Sequence, residues 1–568
     1  MRMAHGTSCA FESAIAPGPR SRLELNSGFD RTSRTQSGAF PCAGQLSGKL
    51  EGLRPGSSVG HQTVYPGLRI AKMNRTKLPL LILVLAAVLG CSDSDDSSAP
   101  QALPVPNPEV SLPPDEGDIS LLAQNFDLEE VGYTSSEFFL DGTATAFTTS
   151  SELGADGQWE VEPGEEASYR TRIVVYRPLD PADFNGNVLV EWLNVTAGFE
   201  TPPSFGTGQL EMRRGGSVWV GVSAQRTGIE GADRGLLPLH LKAANPARYG
   251  TLNHPGDSFS FDIFSQAAQA LRNPQGLDPL GGLEARNLIA YGESQSAGRL
   301  VTYINALQPI YRTFDGYMVH SRGDGASSLA QAPQESIRAP EATRIRTDVQ
   351  VPVLTFETET DILGLGFVAA RQPDTDKIRT WEVAGTAHGD YYTFVSGRND
   401  AFGDPVFASV VEEPSILGFI TCDRPMNNGP HHYVFNRAVR ALNDWVETGT
   451  LPPTSPQLML NDDQSDFLYD EFGNVLGGIR TAYVDAPSAV LRGDQNTGNP
   501  FCGLFGSTRL FRPEEMTALY GDRAAFVAAV TAATELAVAE DFLLREDADA
   551  IIQWAPNQWD QQVEPTAE

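Results

Sequence analysis

The chain has 568 residues, with 41 Lys and Arg against 72 Asp and Glu, a formal net charge of −31, 41% hydrophobic residues and 9% aromatic ones. This composition excludes a disordered chain, a collagen-like repeat and a multi-span membrane protein. The acidity speaks against nucleic acid as a partner, because such binding depends on Lys and Arg meeting phosphate.

In chain order, residues 1–72 are rich in Ser, Gly and Arg and carry no helical or strand period. They read as an unstructured extension upstream of the true start. Residues 73–90 read as a secretory signal peptide: Met73 opens a basic stretch with Arg75 and Lys77, and twelve uncharged residues, Leu78 to Leu89, follow before Gly90. That apolar run is too short for a bilayer core, which needs ~20 residues. Val88-Leu89-Gly90-Cys91 resembles a bacterial lipobox, with Leu89 where a small residue is usual. The resemblance implies that Cys91 is the lipid-attachment site, and Ser92 after it implies sorting to the outer membrane. Residues 91–118, with six prolines and Asp93, Asp95 and Asp96, read as a disordered tether. Removal of the leader leaves Cys91, Cys422 and Cys502. With Cys91 acylated, Cys422 and Cys502 form an even pair expected as a disulfide in an oxidising compartment.

Residues 119–568 read as one α/β domain, with an appendage from about 455 onward. Strand-like runs fall at Thr171–Tyr176, Asn187–Trp192, Val218–Val222, Asn287–Tyr291, Gly316–His320, Val351–Phe356 and Arg379–Val383. Several are continuously apolar, as in strands covered on both faces. Helical patterns lie at Phe261–Leu271, Ala297–Leu307, Tyr433–Glu447 and Arg523–Phe542. The alternation predicts a mainly parallel central sheet flanked by helices. A β portion over Val131–Thr149 precedes it. Gln225–His254 is irregular and Gly/Pro-rich, and reads as a lid or pocket wall. Asp470-Glu471-Phe472-Gly473-Asn474 reads as a hairpin turn.

The chemistry is carried by Asn287-Leu288-Ile289-Ala290-Tyr291-Gly292-Glu293-Ser294-Gln295-Ser296-Ala297-Gly298. An apolar strand runs into Gly-x-Ser-x-Ser and a helix follows at once. A sharp turn of this kind presents a nucleophilic oxygen above a sheet, and small residues on either side let it close. Ser294 is therefore the expected nucleophile, between Gly292 and Ser296. A serine hydroxyl needs a base, and the base an orienting acid. The strand ending at Phe356 leads into Glu357, Glu359 and Asp361, and the strand at Trp381–Val383 leads into a loop with His388. Of the eight histidines, His388 alone follows the carboxylates and sits in a post-strand loop. Asp361 is the expected acid by its spacing after the strand, with Glu359 as the alternative.

These segments resemble the α/β-hydrolase superfamily, and most of all a bacterial family of secreted α/β-hydrolase-domain lipoproteins of undefined substrate. Val188–Val195, Asn245–Gly250, Tyr291–Gly298, Glu359–Asp361 and Trp445–Pro453 carry the likeness. The resemblance implies an α/β-hydrolase fold and a serine ester hydrolase. It implies an oxyanion hole with one donor at the Gln295 backbone N–H and a second near Asn194 and Val195, in the loop after Asn187–Trp192.

The expected activity is hydrolysis of small-molecule, glycan or lipid esters through an acyl-serine. A peptidase, lactonase or acyltransferase on the same residues is an alternative, as is a catalytically silent surface-binding lipoprotein. No His-Glu-x-x-His, Cys-x-x-Cys or Gly-x-Gly-x-x-Gly pattern suggests a metal or a dinucleotide cofactor, so none is expected. Membrane contact is expected through the lipid anchor alone.

Overall fold

In the computed structural model of the chain, residues 102–114, 117–232, 237–416 and 420–564 are described, and ten segments among them pair into one sheet. In chain order they are β1 (Glu109–Ser111), β2 (Tyr133–Thr148), β3 (Glu162–Pro178), β4 (Asn187–Trp192), β5 (Val218–Val222), β6 (Gln275–Gly276), β7 (Asn287–Glu293), β8 (Gly316–His320), β9 (Val353–Thr358) and β10 (Ile378–Val383). The spatial order is β10-β9-β8-β7-β4-β5-β3-β2-β1-β6. From β10 to β5 every pairing is parallel. β3 then runs antiparallel to β5, β2 to β3, and β1 to β2.

The parallel strands are buried on both faces, so several carry continuous apolar runs such as Val188-Leu189-Val190. Side chains alternate across the sheet. Val188, Val190, Leu288 and Ala290 point to the side where Phe261, Phe264, Leu300 and Ile304 pack. Those four lie on the helices Ser260–Arg272 and Gln295–Ala306. Leu189, Ile289, Tyr291 and Leu354 point the other way, against Phe205, Phe435, Val439 and Leu442. These come from the helices Pro203–Arg214 and His431–Thr448. Each such side chain contributes about 1.5–3 kcal/mol on burial. Two helix layers on a sheet leave the C-terminal strand ends as the open crevice where ligands of such folds bind.

One carboxylate ties the layers together. Glu191 in β4 is fully buried and accepts the N–H groups of Ser204 and Phe205 at 2.9 and 3.0 Å, and the Trp219 indole N–H at 2.9 Å. It thus satisfies free N–H groups at the start of the helix Pro203–Arg214.

Several expectations are corrected. The tether does not extend to residue 118: Glu109–Ser111 is a strand of the main sheet, with Val110 opposite Leu140 and Gly276. Val110 is 2% exposed, and one buried residue between prolines leaves no period to read. Gln225–His254 is partly helical rather than irregular throughout, and Leu237 within it is part of a cavity wall. The segment forms short helices at Arg226–Glu230, Leu241–Ala244 and Pro246–Tyr249, and Ile229, Leu241, Tyr249 and Leu252 pack with Phe139. The helical run Arg523–Phe542 stops at Ala539, and a further helix, Arg545–Val563, follows.

The turn at 470–474 is present. Asp470 Oδ1 accepts the N–H groups of Phe472, Gly473 and Asn474. The C-terminal region is joined to the sheet rather than hung from it. The Ile479 N–H donates to the Glu382 carbonyl at 2.7 Å and the Ala384 N–H donates to the Ile479 carbonyl at 3.0 Å, beside β10. Cys422 and Cys502 are joined in a disulfide, their Cα atoms 5.6 Å apart. The upstream extension, the signal segment and Cys91 lie outside the described residues.

Candidate active site

β7 delivers Ser294 to the open end of the sheet. Its backbone has φ 59° and ψ −121°, a conformation unfavourable for a residue with a side chain and characteristic of sharp strand-to-helix turns. The Ser294 N–H donates to the His320 carbonyl at 2.9 Å, which holds the turn against β8. A Cβ at Gly292 would lie 2.8 Å from the Ser296 carbonyl oxygen and 3.1 Å from Leu300 Cδ1, so glycine is required there. Ser296, where a second glycine is common, is fully buried.

β9 and β10 deliver the other two groups. His388 Nε2 lies 2.9 Å from Ser294 Oγ, and His388 Nδ1 lies 2.6 Å from Asp361 Oδ1. The second Asp361 oxygen accepts both the N–H and the hydroxyl of Thr358, each at 2.7 Å. The Thr360 hydroxyl accepts the His388 N–H at 3.1 Å. The carboxylate and the ring are thus fixed by the last residues of β9 and the turn after it. Serine, imidazole and carboxylate in this order can pull a proton from the hydroxyl and stabilise the imidazolium that results.

Glu359, the alternative acid, is turned elsewhere. Its two oxygens accept the N–H groups of Gly385 at 2.6 Å and Gly493 at 2.7 Å. Burial pushes its pKa up to about 8, against those two bonds. It braces the His388 loop from behind, and Asp361 alone of the pair meets the ring.

The oxyanion assignments divide. Gln295 is the first residue of the helix Gln295–Ala306, so its N–H has no partner within the helix and can face an oxyanion. Asn194 is not a free donor. Its N–H donates to the Thr201 carbonyl at 2.9 Å. Its amide Nδ2 donates to the Glu293 carbonyl at 3.2 Å and to Glu293 Oε2 at 3.0 Å. The tight loop that returns Thr201 to Asn194 uses the backbone group, and Glu293 uses the side-chain amide. Val195 is buried and lies outside the cavity lining, whereas Thr196 and Ala197 line it.

Glu293 is a site residue that the sequence reading passed over. Its Oε1 lies 3.3 Å from His388 Nε2, and both side chains are 5% exposed. Burial pushes the Glu293 pKa up to about 7, opposed by His388. Burial also works against a charged His388, but the carboxylates of Glu293 and Asp361 outweigh it and raise the ring to about 9. The signal was available: Glu293 directly precedes the nucleophile in the turn.

These groups open into a cavity of about 350 Å³. Phe199, Phe394, Phe501, Leu504 and Phe505 form much of its wall, together with Ser294, His388 and Glu293. Arg398 also belongs to that lining.

A family model described as "Alpha/beta hydrolase domain" matches residues 104–553. The chain belongs to the alpha/beta-hydrolase family. The match begins just before β1 and runs into the last helix, so this hydrolase domain includes the C-terminal region as well as the sheet. No curated protein matches the chain. Among solved structures, the hydrolase is similar to a fungal esterase from Rhizomucor miehei (12% identity, 55% of this chain and 85% of that one, TM-score 0.28). It is also similar to a glucuronoyl esterase from Solibacter usitatus (12% identity, 50% and 82%, TM-score 0.26). A third is a putative dienelactone hydrolase from Klebsiella pneumoniae (13% identity, 43% and 85%, TM-score 0.21).

Proposed function

We propose that the protein is a serine hydrolase of carboxylic esters. The observation that carries this reading is the hydrogen-bonded chain Ser294 Oγ–His388–Asp361, opening into an apolar cavity. Ser294 Oγ attacks the ester carbonyl as His388 Nε2 takes its proton. Asp361 stabilises the imidazolium, and the Gln295 N–H meets the developing oxyanion. The imidazolium returns the proton to the departing alcohol, leaving an acyl-serine. Water activated by the same ring then releases the acid.

Labelling with a fluorophosphonate tests this. The wild-type protein should be labelled at Ser294 and should hydrolyse p-nitrophenyl esters. Ser294→Ala should lose both. A folded Ser294→Ala protein with wild-type turnover would remove the assignment.

We also propose that the domain is exported and lipid-anchored in the cell envelope. The basic, apolar and Gly-Cys order of Met73–Cys91 supports export and lipid anchoring at Cys91. Cys91→Ser should move the protein from the membrane fraction to the soluble fraction, and an unchanged distribution would refute the anchor.

A further inference from the structure

The cavity beside Ser294 is walled mainly by aromatic and aliphatic side chains, yet Arg398 enters it. Elsewhere in the fold, several buried or half-buried arginines sit against carboxylates, and Arg322 and Arg213 donate to backbone carbonyls. Arg172 meets Glu200 at 2.6 Å, Arg299 meets Asp257 at 3.0 Å, and Arg371 meets Glu382 at 2.6 Å. Arg398 differs. Its Nε is buried with no hydrogen-bond partner among the described residues. Burial alone acts on its pKa, lowering it, with no described carboxylate near enough to oppose that. The acid next to it in sequence, Asp400, is committed elsewhere. Its oxygens accept the Tyr392 hydroxyl at 2.8 Å and the Gly403 N–H at 2.6 Å.

The position is also held in place. The Asn125 N–H donates to the Arg398 carbonyl at 2.8 Å, and the Asn125 amide donates to Asn399 Oδ1 at 3.0 Å. A half-desolvated guanidinium without a counter-charge is costly, and a planar carboxylate is the group that matches its fork. The charge cannot serve general attraction in a chain of net charge −31. Its effect is local to the cavity. Glu293 does not answer it, since Glu293 is engaged with Asn194 and His388.

We propose that Arg398 sets substrate class by pairing with a carboxylate on the ester, so that the preferred substrates are esters with an apolar body and a free carboxylate. This rests on the esterase reading of Ser294, and the test separates the two. Turnover is measured on two matched pairs. One is the p-nitrophenyl monoester of hexanedioate against p-nitrophenyl hexanoate, with the charge on the acyl side. The other is p-acetoxybenzoate against phenyl acetate, with the charge on the alcohol side. The readout is the charged-to-neutral ratio of kcat/KM within each variant, which cancels differences in active fraction. In at least one pair that ratio should fall by about 10- to 100-fold from wild type to Arg398→Gln, the size of one charge-assisted hydrogen bond. Arg398→Lys should keep part of it. Ratios equal in wild type and Arg398→Gln for both pairs would overturn the proposal.

Calorimetry gives a second reading without turnover. In at least one of the two pairs the carboxylate-bearing ester should bind Ser294→Ala more tightly than its neutral partner, and the difference should vanish in Ser294→Ala/Arg398→Gln. Equal binding within both pairs would also overturn it. If fluorophosphonate leaves Ser294 unlabelled and no ester is cleaved, the esterase reading fails, and calorimetry still decides the role of Arg398.

Discussion

Glu293 Oε1 lies 3.3 Å from His388 Nε2, the same nitrogen that faces Ser294 Oγ at 2.9 Å. The ring therefore has a carboxylate at each nitrogen, because Asp361 holds Nδ1 at 2.6 Å. In the proposed mechanism Asp361 supports proton transfer from the far side, and Glu293 stabilises the imidazolium on the reacting side, where the nitrogen must be free to accept the Ser294 proton.

That arrangement fixes a pH dependence. An adjacent negative charge favours the protonated ring, and His388 is raised to about 9 by Glu293 and Asp361 against its burial. The base is active only when neutral, so activity rises as pH climbs through the pair's shared titration. Glu293→Gln removes one charge and keeps an oxygen for the Asn194 amide. The acidic limb of the kcat/KM profile should then move to lower pH by about 1–3 pH units. A limb that stays in place or moves up would show that Glu293 does not act on His388.

The two carboxylates after β9 should separate cleanly. Asp361→Asn removes the charge against His388 Nδ1 and should lower turnover by on the order of 10⁴. Glu359→Gln replaces one of two oxygens that accept backbone N–H groups. Its cost should fall on stability, about 1–3 kcal/mol for a buried donor left unpaired. Denaturant unfolding with turnover at matched folded fraction checks both. Comparable losses of turnover in the two variants would contradict the geometry.

Much of this was legible in the chain. The parallel strands are read from apolar runs because both faces of each are covered, and β4, β5, β7 and β8 carry the same limits as those runs or extend two residues beyond them. Ser294, Asp361 and His388 could be singled out in the sequence because Ser294 follows β7 directly and the other two stand in the turns that begin where β9 and β10 end. What was not legible depends on contacts distant in sequence. Val110 is a strand residue only because Leu140 and Gly276 flank it. Asn194 suits an oxyanion donor in sequence, but the return of Thr201 and the nearness of Glu293 use its donors. Arg398 carries no motif, and its meaning comes from the absence of a described counter-charge in an apolar wall.

The Cys422–Cys502 link closes a separation of 80 residues. Ile420 stands two residues before one half, Phe501 and Leu504 flank the other, and all three line the cavity. Replacing both cysteines by serine should destabilise the fold by about 2–4 kcal/mol. KM should rise more than kcat falls, because the wall loosens while β7, β9 and β10 still carry the reacting groups. Unfolding curves with and without reductant, and steady-state kinetics, check this. An unchanged KM would detach the link from the cavity.

The last prediction concerns Arg172, which is fully buried at the start of the antiparallel part of the sheet. It meets Glu137 and Glu200 at 2.6 Å each, the Ser223 hydroxyl at 3.0 Å and the Ser120 carbonyl at 3.0 Å. Two of these partners adjoin cavity walls. Glu200 lies between Phe199 and Thr201, and Ser120 precedes Leu122 and Ala123, all of which line the cavity. Glu137 has a second cation in Arg248 at 2.6 Å, whereas the Glu200 ion pair is with Arg172. Arg172→Met therefore strands a buried carboxylate and should cost about 3–5 kcal/mol. Arg172→Lys should recover little, because a compact ammonium cannot reach two carboxylates, a hydroxyl and a carbonyl from one planar fork. A double variant, Arg172→Met/Glu200→Gln, should regain part of the loss by removing the stranded charge. Chemical unfolding of the three variants reads these differences. If the double variant is no more stable than Arg172→Met, the Arg172–Glu200 pair is not what fastens the cavity loop to β3.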